Sequence, residues 1–185
     1  MTAAKIFVDL DMIPRYCMAL MLTVGGVLAE IIGISHPAWE MAAILLLGPF
    51  WLGMVLVVHA KEGSAAGETL KRVDIWFRWI VIVSIIVSVV HSHWTGRLDG
   101  LEWFSAKLLL FAFLVFCGIM VRGKIGPFFQ VLMKCRAGQM PTPEENEAQR
   151  VSLSQVRVWV FMIWAGVFLS GFVGIVNRSG IVYGG

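Results

Sequence analysis

Uninterrupted apolar stretches, not alternating ones, dominate the chain, and five of them stand out: residues 12–34, 39–60, 75–92, 102–121 and 155–176. Each is long enough to cross about 30 Å of hydrocarbon as a helix rising about 1.5 Å per residue. None alternates as a transmembrane strand would, and lipid offers the backbone no hydrogen-bond partner. The pattern therefore predicts an all-α integral membrane protein with five spanning helices. The first run follows MTAAKIFVDLD, with two aspartates against one lysine, and no small-x-small cleavage site comes after it, so it reads as a span and not as a signal peptide. The one sizeable connection is 122–154. Its first part, IGPFFQVLMK, places Phe128, Phe129, Leu132 and Met133 where a helix can lie on the bilayer surface, or a plain loop can cover the bundle. Farther on, MPTPEENEAQR offers Thr142 as N-cap, Pro143 as the first helical residue and Glu145 as capping-box partner. The last helix is thus predicted to begin near 143 and to project from the membrane. Residues 1–185 read as a single bundle.

Composition agrees. Of 185 residues, 58% are hydrophobic and 15% charged, where soluble domains carry about 25% charge. This excludes a disordered chain and a nucleic-acid binder, and the spans leave no room for an added soluble catalytic domain. With five spans the loops fall into two sets. Lys5, Arg15, Lys61, Lys71, Arg72, Arg78, Arg122, Lys124, Lys134, Arg136, Arg150 and Arg157 lie on one side, against Arg97, Arg178 and the intramembrane Lys107 on the other. Twelve against three predicts a cytoplasmic N-terminus and 122–154 connection, with the C-terminus outside, in a bacterial inner membrane. Trp39, Trp94 and Trp103 then mark the outer boundary, and Trp76, Trp79 and Trp159 the inner one.

Small residues recur every fourth position in two spans, Gly25, Ala29 and Gly33 in the first and Gly166, Ser170 and Gly174 in the fifth, rows suited to close packing of one helix on another. The two rows can face each other. Gly48 and Pro49 predict a kink in the second span.

Charges inside spans are costly and often functional. Glu30, Glu40 and Lys107 all fall in the outer leaflet by the depth of their positions, and are predicted to form one polar cluster in which carboxylate and ammonium neutralise each other. The alternatives are snorkelling for Lys107 and interfacial exposure for Glu40. His36, His91 and His93 share that side and admit a metal or haem site, with Asp99 and Glu102 as further oxygen donors. On a continuous helix His91 and His93 point about 200° apart, so one ion can take both only if the helix ends between them. The ten methionines form no cluster in a soluble loop and read as core. Cys17, Cys117 and Cys135 make an odd set with no ligand-like spacing, so no disulfide framework is expected. GxSxG, P-loop, HExxH and GxGxxG signatures give no usable match.

The stretch LGPFWLGMVLVVHAKE, the basic turn after it, and WFSAKLLLFAFLVFCGIMVRG resemble the small bacterial membrane proteins of the HemJ-type protoporphyrinogen oxidase group and the related membrane region of copper-resistance protein D. The resemblance covers about residues 45–125, and its most specific element is Ser105–Leu108. It implies a functional role for Lys107; His91, from its place on the outer side, is the further candidate for cofactor binding, and the cofactor is open, with haem b and copper as the candidates. The family's histidine early in the preceding span has no counterpart around Trp39–Ala43.

The expected function is an auxiliary or assembly subunit of a larger membrane complex, one that handles redox metals, partnered by lipid and by other membrane subunits. A haem- or metal-dependent oxidoreductase using Lys107, and a metal or proton transporter using Glu30 and Lys107, are the rivals.

Overall fold

The computed structural model describes residues 3–34, 36–61, 64–98 and 100–183, giving for 3–11, 65 and 177–183 the backbone course alone. The described chain is helical throughout: α1 (Ala3–Ile31), α2 (Ala38–Ala60), α3 (Ala65–Trp94), α4 (Glu102–Lys124), α5 (Gly126–Arg136) and α6 (Pro143–Tyr183). All but α5 are long and apolar enough to cross a membrane. The chain packs as two compact units, Met1–Ile75 and Trp76–Gly185, with the division inside α3.

Helix ends differ from the apolar runs wherever a cap acts. The first run continues to residue 34, yet α1 stops at Ile31 because Gly33 adopts φ +93°, a left-handed conformation that side chains rarely take. Ile34 N–H then donates to Ala29 O at 2.9 Å and Gly33 N–H to Glu30 O at 3.1 Å, the paired bonds of a Schellman cap. The same pairing recurs at Gly96 and Gly138. At the other end of α3, Ser64 Oγ accepts from Gly67 N–H at 3.1 Å, so the helix starts ten residues before its apolar run. α6 starts as its capping box predicts. Thr142 N–H donates to Glu145 Oε2 at 3.0 Å and Glu145 N–H to Thr142 Oγ1 at 3.3 Å.

In the first unit α1 packs on α2. Ala19, Thr23 and Gly26 of α1 meet Ile44 and Gly48 of α2, small residues allowing the close approach. A Cβ on Gly26 would strike Ile44, and one on Gly48 would strike Thr23 Oγ1. The Thr23 hydroxyl donates to Ile44 O at 2.7 Å and accepts from Gly48 N–H at 2.9 Å. These are the two groups that pair with each other along an α-helix. Trp51, Val55 and Val58 continue the buried face of α2.

In the second unit α4 is central, burying Ser105, Phe111, Ala112, Leu114, Val115 and Cys117. α6 runs antiparallel to it: Gly174 lies against Lys107, Gly166 against Leu114, Trp159 against Phe116 and Gln155 against Lys124. Phe116 also meets Trp79 of α3, giving an edge-to-face series across three helices with centroids 6.0 and 5.8 Å apart. Lys124 Nζ donates to Gln155 Oε1 at 3.0 Å, and Ser152 Oγ donates to Lys124 O at 2.6 Å, satisfying a carbonyl at the end of α4. From there α5 runs along the polar first turns of α6, where Lys134 pairs with Glu145. It is a helix and not a plain loop. α6, at 41 residues about 60 Å long, therefore carries α5 on a part that extends past its apolar run.

Candidate functional site

Glu30 and Lys107 each have a neighbour within their own unit. Glu30, in the last turn of α1, takes the His36 backbone N–H at 3.0 Å and lies 2.9 Å from His36 Nδ1, both through Oε2. The imidazole side chain is only 8% exposed. This contact ties the end of α1 to the turn before α2, with Glu40 half-buried in the first turn of α2. Lys107 is half-buried on α4, its Nζ 5.5 Å from the centre of the Trp103 ring. A Cβ on Gly174 would come within 2.7 Å of that nitrogen, so the absence of a side chain at 174 makes the seat for the ammonium. Trp103 lies one turn nearer the start of α4, and the lysine thus reaches toward the helix end, as a snorkelling side chain does. Glu30 and Lys107 belong to different units.

The small-residue rows have divided roles. Gly25 faces open space and Gly33 is the cap of α1, while Ala29 is buried; the contacts with α2 use Ala19, Thr23 and Gly26. Gly166 and Gly174 face α4, and Ser170 between them is half-buried.

His91 and His93 are exposed on the last turn of α3, which continues to Trp94, so the helix does not end between them. Among the described residues no three His, Cys, Asp or Glu side chains gather as metal ligands. Asp99 lies outside the described residues. Cys117 is buried, and Cys17 and Cys135 are exposed.

Two features escaped the reading of apolar runs. Asp74 and Arg78 are both buried, one turn apart on α3; their acid-before-base spacing was the available signal. Opposite them, Trp76, Ile80, Val83, Val87, Val90 and Trp94 form an exposed row at alternating spacings of four and three. The row is about 27 Å long with a tryptophan at each end, close to the thickness of the hydrocarbon layer. Ser84 and Ser88 are exposed beside it near mid-span.

Outside the spans, the α4–α5–α6 corner holds a shallow groove of about 720 Å³ with Lys124, Glu144 and Glu147 on its walls. The Lys134 ammonium, with the Thr142 backbone N–H, holds the Glu145 carboxyl below the usual carboxylate range. What this arrangement can do chemically is to bury charge locally and present an apolar, serine-bearing helix face to the membrane. No family model matches the chain, and neither the curated proteins nor the solved structures include one similar to it.

Proposed function

We propose that this protein is an auxiliary or assembly subunit of a larger membrane complex, bound to neighbouring subunits through α3. The observation that carries this reading is the exposed α3 row with Ser84 and Ser88 beside it. Lipid chains ask only that a helix face be apolar. Spacings of four and three are those of any helix face, and what sets this one apart is the pair of small hydroxyl residues at i and i+4, which permit close approach and hydrogen bonds between helices. In this reading the basic asymmetry sets the N-terminus and α5 in the cytoplasm and the C-terminus outside, in a bacterial inner membrane. A redox-metal role for the complex, with haem b or copper, has the resemblance of residues 45–125 as its support.

The test is affinity purification from native membranes in mild detergent, comparing the wild type with Ser84→Ile/Ser88→Ile and, as control, Val167→Ile on the exposed face of α6. The expected result is a fixed set of membrane subunits retained by the wild type and control but lost from the serine variant. Retention of the same set by all three would contradict the proposal.

A further inference from the structure

We propose that Gly48–Pro49 is a hinge in α2 and that Thr23 of α1 is the latch that sets it. Pro49 has no N–H, so the Leu45 carbonyl receives no hydrogen bond from residue 49. The link just before it, between Ile44 O and Gly48 N–H, is bridged by the Thr23 hydroxyl. At the midpoint of a 23-residue span, therefore, one link of the α2 ladder is missing and the one before it also carries hydrogen bonds to another helix. Insertion of a side chain into the ladder and proline are both established causes of helix bending. Gly48 is required for the latch to close, because a Cβ there would occupy the position of the hydroxyl.

The far end of the helix pair is tied. Gly33 caps α1 and Glu30 holds His36, so movement of α1 against α2 pivots at that turn and is felt at Thr23, about 12 Å away along α1. When the hydroxyl withdraws, Gly48 N–H and Ile44 O are left to each other alone and α2 changes its bend. A position of α1 is thereby converted into an angle between the two halves of α2.

Electron-spin distance measurements on the full chain test this, with labels on native Cys17 and on Val57→Cys, both exposed positions, and with Cys117 and Cys135 replaced by alanine. Val57 lies about 12 Å beyond Pro49, so a change of about 20° moves it by about 4 Å. Thr23→Val, which removes the hydroxyl and keeps the volume, is expected to shift the distribution by about that amount, and Thr23→Ser to leave it unchanged. Gly48→Ala displaces the hydroxyl by a second route and should give the same shift. With Pro49→Ala added, Thr23→Val should no longer move the distribution. Identical distributions for wild type, Thr23→Val and Gly48→Ala, or a shift that persists undiminished with Pro49→Ala, would overturn the hinge.

Discussion

Gly166 and Gly171 on α6 separate the cost of closing the α4 contact from the cost of having glycine in a helix. A Cβ on Gly166 would lie 2.9 Å from Leu114 Cδ2 and 3.8 Å from Phe113 Cδ1, whereas one on Gly171 meets nothing within 4 Å. Replacing either with alanine gains about 1 kcal/mol of helix propensity. At 171 nothing opposes that gain, and Gly171→Ala should stabilise by about 1 kcal/mol. At 166 the methyl group must displace Leu114, which is itself buried and has little room to yield, and overpacking of this kind costs about 1–3 kcal/mol. Gly166→Ala should therefore be neutral or destabilising by up to about 2 kcal/mol. Both positions belong to the same helix, so the difference between the variants, about 1–3 kcal/mol, cancels most of what is common to them. Reversible unfolding in mixed detergent micelles, followed by tryptophan fluorescence, measures it. Equal stabilisation by the two substitutions would refute the close α4–α6 contact at Gly166.

Lys107→Met should cost no more than about 1 kcal/mol and alter Trp103 emission, because it removes a single ammonium–ring contact; a loss above about 2 kcal/mol would show that the ammonium has a further partner. The depressed Glu145 carboxyl makes the start of α6 pH-dependent: the stability it contributes is present above its unfolded pKa of about 4.3 and is lost as pH falls through the lower folded value. Protection factors of the amides in the first turns of α6, with the intrinsic pH dependence of exchange divided out, should fall on acidification in that window, and Glu145→Gln should abolish the fall, while an unchanged slope in the variant would remove Glu145 as its cause. Reporter fusions in 137–141 are expected to be active in the cytoplasm and fusions after residue 176 outside, and reversed activities would refute the orientation.

The five spans were visible because hydrocarbon thickness imposes a length on apolar runs, and the start of α6 because a capping box is written within four residues. Helix ends were less visible. Polar residues extend α3 ten positions before its run, since Ser64 caps a helix that no longer needs to be apolar outside lipid. The choice between adjacent Gly25 and Gly26 depended on the shape of the partner: Ile44 lies against Gly26, and nothing lies against Gly25. Glu30 and His36, six residues apart at one depth, were readable as neighbours. The Lys107–Gly174 seat was not, because it requires the antiparallel register of α4 and α6 across 67 positions of chain. Arg78 counts in the sequence only toward the basic asymmetry, and only packing reveals that it and Asp74 are buried.

The claim that α3 is a docking helix is tested most directly by single-cysteine crosslinking along residues 76–94 in native membranes, in a background with Cys17, Cys117 and Cys135 replaced by alanine. If the exposed row forms a seam, crosslinks to a neighbouring subunit should peak at positions 80, 83, 87 and 90, with a period of about 3.5, and be absent at the buried Val81, Ile85 and Val89. Crosslinking that is absent throughout, or that shows no such period, would mean that lipid covers α3 and would contradict the account.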